Sequence, residues 1–153
     1  MTLSKFIDKS LIEVNLASSS KEEAISKLVD RIDRRTKIVD KKKVLDELLE
    51  REKGMSTGIG EGVALPHVRT SNVSKISIAL GISKEGIEFN SFDGKPAHLI
   101  FLLLGPNSDN ENYLTMMAQI TKLVCTERKR EKLLQARDPK EVIQFIIEME
   151  AMR

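Results

Sequence analysis

Ala97-His-Leu-Ile-Phe-Leu-Leu-Leu104 is apolar at odd and even positions alike, save for His98, and this fixes the layering of any fold the chain can adopt. A strand with one wet face alternates apolar and polar side chains, so a strand apolar on both parities is covered on both sides. Helices supply such cover, so the run predicts a central strand in an α/β sandwich. It falls far short of the ~20 apolar residues that a membrane-spanning helix needs.

The remaining periodicities supply the layers. Ser20-Lys-Glu-Glu23 reads as a capping box, and Ala24, Ile25, Leu28, Val29 and Ile32 then recur at helical spacing. A short strand, Ile12 to Leu16, precedes that helix. Asp40 opens a second helix with Val44, Leu45 and Leu48 inward, ending near Arg51 or Glu52. Val63-Ala-Leu-Pro66 is extended, because proline disfavours helical dihedrals in the residue before it. Ile76, Ile78 and Leu80 alternate with smaller residues as a strand does, Ile87 to Phe92 is a weaker strand, and Phe92-Asp-Gly-Lys95 is a turn. In the last third, Ser108-Asp-Asn-Glu111 caps a helix carrying Leu114, Met117, Ile120, Thr121 and Val124, and a short helix spans Glu127 to Ala136. Asp138-Pro139-Lys-Glu141 then starts a helix with Val142, Phe145, Ile146 and Met149 on one stripe. The order predicts a single α/β domain over residues 1–153, with a mixed central sheet of about five strands and helices on both faces.

Charge and cysteine content narrow the function. With 25 basic and 23 acidic side chains the net charge is +2, so no global field points to nucleic acid. Lys41-Lys-Lys43 and Arg128-Lys-Arg130 sit among acids and read as solvated helix faces. The lone Cys125 leaves no disulfide framework and reads as a small buried hydrophobe. The start Met-Thr-Leu-Ser-Lys is no signal peptide, and the expected home is a reducing cytoplasm, without membrane insertion. His98 reads as a structural histidine at a strand end, and Met116-Met117 as core packing. Two histidines without a carboxylate at ligand spacing make no metal site, and no cofactor is called for.

Chemistry concentrates in Arg51-Glu-Lys-Gly-Met-Ser-Thr-Gly-Ile-Gly-Glu-Gly-Val-Ala-Leu-Pro-His67. A neutral imidazole nitrogen is a good nucleophile at physiological pH. His67 follows a proline at a strand end, where such residues lie at a rim open to a partner. Arginine grips oxyanions with a planar fork, and Arg51 is the candidate to hold a phosphoryl group and to keep the imidazole neutral. The plain alternatives are a histidine satisfied by a carbonyl and a helix-end arginine facing the dipole. Lys53 and Arg69 read as surface charges. Gly58, Gly60 and Gly62, with Thr57 and Ser56, are candidates for an anion-binding loop, although their spacing matches no nucleotide fingerprint.

These residues resemble the enzyme IIA domain of the fructose/mannitol class of the bacterial phosphoenolpyruvate–sugar phosphotransferase system, a group that includes a nitrogen-regulatory branch. The family's pattern is an arginine at a helix end, then S-T-G-I-G-x-G-x-A-x-P-H, and the segment ending at His67 follows it. Phe92 to Pro106 is similar to the family's central strand. The resemblance implies that His67 is phosphorylated through Nε2, that Arg51 stabilises the group, that phospho-HPr is the donor and that a cysteine-bearing IIB domain is the acceptor. The alternative it implies is a regulatory protein whose phosphorylation switches binding to transporters or kinases. In one place the chain departs from the pattern: the family often has a second histidine at the start of the helix after the central strand, and Tyr113 stands there. A phenol donates a hydrogen bond but carries no positive charge at neutral pH.

Overall fold

A computed structural model describes residues 2–152. Its centre is a six-stranded mixed sheet. The strands are β1 (Ile12–Glu13), β2 (Gly58–Gly60), β3 (Val63–Ala64), β4 (His67–Arg69), β5 (Ser77–Ile87) and β6 (Ala97–Gly105). The helices are α1 (Lys21–Arg35), α2 (Lys41–Gly54), α3 (Asn110–Leu123), α4 (Glu127–Leu134) and α5 (Pro139–Ala151). β6 is the central strand that its sequence predicts. It runs antiparallel to β5 and parallel to both β3 and β4, while β1 extends the sheet alongside β5 in parallel. Among the described residues no helix is long and apolar enough to cross a membrane.

β3 and β4 are one line interrupted by Leu65-Pro66. Val63 and Ala64 pair with Leu99 and Ile100, and His67 to Arg69 pair with Leu103 to Gly105. Between them the Leu103 N–H donates to the Pro66 carbonyl at 3.0 Å. Proline has no N–H to give back. The line therefore stays attached to β6 while the pairing breaks, and Leu65 turns its own N–H to the Thr57 carbonyl at 2.9 Å.

Register also separates the two faces. A Cβ on Gly81 would meet Leu28 of α1, and one on Gly105 would meet Tyr113 of α3. Gly81 pairs with Ile100, which has the opposite parity to Gly105, so α1 and α3 cover opposite faces of the sheet. His67 and Arg69, paired with Leu103 and Gly105, share the α3 face. α2 packs on α1 and reaches β4, bringing its last turn to the same end of the sheet.

Several local expectations change. Ser20 caps α1 through the Glu23 N–H, but its own N–H donates to the Ser18 hydroxyl, so only half of a capping box forms. α2 continues to Gly54, past the predicted end near Arg51 or Glu52. β1 is only two residues long, and β5 closes at Ile87. The weak strand predicted over Ile87 to Phe92 is instead a loop with Phe92 87% exposed. Asp109 rather than Ser108 caps α3, which buries Tyr113, Met116, Ile120 and Leu123 and leaves Leu114 54% exposed. Cys125 lies beyond α3 and is exposed, not buried. Arg130 is half-buried and donates to the Val124 carbonyl at 2.9 Å, so that basic cluster is not wholly solvated.

Candidate functional site

His67 is half-buried at the start of β4, held at both ring nitrogens. Its Nδ1 lies 2.6 Å from the Leu65 carbonyl oxygen. A carbonyl only accepts, so Nδ1 carries the proton and Nε2 keeps its lone pair. An Arg51 Nη2 stands 3.3 Å from that Nε2, donating to it. Arg51 sits in the last turn of α2 and is exposed, so its guanidinium reaches His67 from the solvent side. Burial pushes the imidazole below the usual histidine range, and the Arg51 charge pushes the same way, against the Leu65 bond and the charge of Glu52. His67 and Arg51 are therefore in contact, with an imidazole lone pair facing a cation.

Tyr113 completes one wall. Its ring centroid is 6.4 Å from that of His67, and the Arg69 guanidinium carbon lies 5.7 Å over the tyrosine ring. Arg69 also donates to the Asn110 side chain, at the first residue of α3. Arg69 is exposed, as a surface charge is, but it also stands against the tyrosine beside His67, and the strand spacing of two residues from His67 is the signal for it. Lys53 does stay at the surface, 3.9 Å from Glu50. Burial pushes the Tyr113 phenol up to about 12, against the pull of Arg51 and Arg69, so it remains a neutral donor. Its hydroxyl makes no hydrogen bond to the described residues and is not sealed from solvent.

The glycines are placed elsewhere. Cβ atoms on Gly60 and Gly62 would face Phe92, Asp93 and His98, and one on Gly58 would strike Ser91. The Gly62 carbonyl accepts from the His98 and Leu99 N–H groups, four residues along β6 from the Leu103 that pairs with His67. At ~3.3 Å per residue that is about 13 Å. Gly60, which ends β2, and Gly62, in the turn after it, therefore lie at the far end of the line, both at positive φ, and are not a cradle for an anion on His67. Thr57 is buried, and its hydroxyl donates to Glu52 rather than into the site. Ser56 likewise donates to the Phe89 carbonyl. His98 is structural as read, its Nδ1 2.8 Å from the Ser83 carbonyl.

The residue that sequence reasoning passes over is Glu52, 5% exposed and next to Arg51. One carboxylate oxygen accepts the Thr57 N–H at 3.1 Å together with the Thr57 hydroxyl, and the other lies 3.4 Å from Lys21 Nζ. Its i, i+4, i+8 spacing with Val44 and Leu48 on the buried stripe of α2 was the available signal.

The chain matches, over residues 5–149, the family described as "Phosphoenolpyruvate-dependent sugar phosphotransferase system, EIIA 2". It is 37% identical over 137 residues to the fructose-specific EIIA component of Haloferax volcanii, covering 90% of this chain and 88% of that one. It is 35% identical over 146 residues to the fructose-specific EIIABC component of Bacillus subtilis, covering 95% of this chain but only 23% of that much longer relative. Its fold matches the crystal structure of the nitrogen regulatory protein IIA-Ntr from Neisseria meningitidis with a TM-score of 0.87 at 28% identity, over 94% of this chain and 98% of that one.

Proposed function

Because this chain belongs to the phosphoenolpyruvate-dependent sugar phosphotransferase system EIIA 2 family, we propose that it is a cytoplasmic phosphocarrier that takes a phosphoryl group from phospho-HPr onto His67 and passes it to a IIB domain in fructose/mannitol-type uptake. The observation that carries the reading is the Arg51 guanidinium 3.3 Å from Nε2, while the opposite ring nitrogen is committed to Leu65.

The transfer follows from that arrangement. The Nε2 lone pair attacks the phosphorus of the donor's phosphohistidine, the N–P bond to the donor breaks, and its electron pair returns to the donor imidazole. No proton has to move at His67, because Nδ1 already carries it. Arg51 leaves the lone pair and turns its fork onto the phosphoryl oxygens, where charge-assisted bonds stabilise the passing group. With both nitrogens substituted, the His67 ring is cationic, and the Leu65 carbonyl dipole faces that charge. A cationic imidazole is a good leaving group, so the same bond favours onward transfer to a thiolate. Tyr113 offers a neutral O–H to the phosphoryl oxygens in place of the family's second histidine.

Incubation with phosphoenolpyruvate, enzyme I and HPr, followed by intact mass, tests the reading. The wild type gains one phosphoryl group and His67→Ala gains none; full labelling of that variant would remove the proposal. Arg51→Ala slows labelling more than about tenfold, a loss of over ~1.4 kcal/mol of transition-state stabilisation. An unchanged rate would return Arg51 to the role of a surface residue.

A regulatory reading has its own support in the IIA-Ntr fold match and in Tyr113 standing where a second cation would speed transfer. There, phosphorylation of His67 changes the charge of a docking face and switches binding to a transporter or kinase. Sugar phosphorylation reconstituted with a IIB partner separates the two, since a purely regulatory protein feeds none.

A further inference from the structure

Glu52 is an acidic side chain, buried and unused by the transfer itself, yet the bonds of its Oε1 lead toward His67. Its Oε1 accepts the Thr57 N–H at 3.1 Å and the Thr57 hydroxyl. The Thr57 carbonyl accepts the Leu65 N–H at 2.9 Å. The Leu65 carbonyl accepts the Nδ1–H of His67 at 2.6 Å. On the other side, Glu52 follows Arg51 in the last turn of α2, so the same carboxylate fixes the helix end that presents the guanidinium. Capping that helix end would need one bond; this carboxylate anchors both halves of the site.

We propose that Glu52 is a positioning residue for His67, its carboxylate fixing Thr57 and, through the Thr57–Leu65 bond, the carbonyl that keeps Nδ1 protonated and Nε2 turned toward Arg51. Lys21 is the carboxylate's counterion, 3.4 Å from its Oε2 and itself tied to the Asn90 side chain at 2.9 Å. If Leu65 drifts, only the Arg51 bond is left to the ring among the described residues, and it asks for an acceptor nitrogen without fixing which way the ring turns. The consequence for phosphoryl transfer rests on the phosphocarrier reading; the geometry does not.

The test compares Glu52→Ala, Glu52→Gln and Thr57→Val in the full chain. ¹⁵N shifts of the His67 ring are read at a pH where it is neutral, alongside single-turnover labelling by phospho-HPr. The wild type shows the Nδ1–H tautomer alone. Glu52→Ala shows a mixture of tautomers and labels more than about tenfold slower. Glu52→Gln keeps an acceptor oxygen for Thr57, and restores both the tautomer and a rate within about threefold of the wild type. A folded Glu52→Ala with an unchanged tautomer overturns the proposal, whatever its rate. Should Glu52→Ala fail to fold, Thr57→Val deletes only the hydroxyl bond; a smaller mixed fraction supports the role and an unmixed ring overturns it. A wild type that is never labelled, beside a Glu52→Ala ring that still mixes tautomers, would sink the phosphocarrier reading and leave the positioning role standing.

Discussion

At the scale of single residues, a carbonyl that can only accept and a guanidinium that can only donate decide which nitrogen of His67 is available. Desolvation then holds the imidazole below its free value of about 6.5, and Arg51 pushes it lower. The neutral form accordingly persists to lower pH than in a free imidazole. NMR titration of His67 is expected to give a midpoint below about 6.5, and Arg51→Ala is expected to raise it. A wild-type midpoint at or above the free value contradicts this account. The linkage has the matching sign: the unfolded chain binds the proton more readily, so this group's contribution to stability is complete above about pH 6.5 and is lost as pH falls to the folded value. His67→Gln removes that part of the pH dependence in urea unfolding. His67 and Arg51 were legible in the sequence because one short segment carries both. Arg69 and Glu52 were not, because a charge says nothing of its neighbours until a strand face or a helix stripe is assigned to it.

Among the elements, α3 shows where periodicity stops being decisive. Tyr113, Met116, Ile120 and Leu123 make one apolar stripe, and Leu114, Met117 and Val124 make another beside it. Spacing alone cannot choose between adjacent stripes on a helix that is apolar across both. The sheet chooses, because Gly105 opens a space on the α3 face of β6 that the Tyr113 ring fills. Met116→Ala, at 0% exposure, is expected to cost about 2–5 kcal/mol by urea unfolding. Leu114→Ser is expected to stay within about 0.5 kcal/mol of the wild type. The reverse ranking would restore the stripe read from the sequence. The same limit explains the strands. β6 and the first half of β5 are apolar enough to announce themselves, whereas the extended stretches expected over Ile12 to Leu16 and Val63 to Pro66 shrink to β1 and β3, two residues each and too short to alternate. The Leu65-Pro66 break that aims His67 shows in the sequence only as a proline, not as one line along β6.

In the whole molecule, the site exists only where three elements meet: Arg51 arrives on α2, His67 and Arg69 on β4, and Tyr113 on α3. β6 holds two of them, pairing with β4 and carrying α3 above its end. Gly105 is the joint, since it pairs with Arg69 while a Cβ there would stand 2.6 Å from Tyr113 Cδ1 and 3.0 Å from Ile76 Cδ1. Neither neighbour is a free chain end, because both side chains are buried at 5% exposure. Gly105→Ala must therefore move the tyrosine ring, the isoleucine or the strand, and such overpacking costs about 1–3 kcal/mol. The expected result is a lower urea midpoint with an unchanged slope, together with displaced His67 ring resonances as the aromatic neighbour at 6.4 Å shifts. Labelling by phospho-HPr slows in the same variant if the Tyr113 hydroxyl serves the phosphoryl group, and Tyr113→Phe reproduces that loss without the stability change. A Gly105→Ala chain with wild-type stability and wild-type ring resonances would show that α3 yields freely there, and that Tyr113 is not held against the imidazole by the fold.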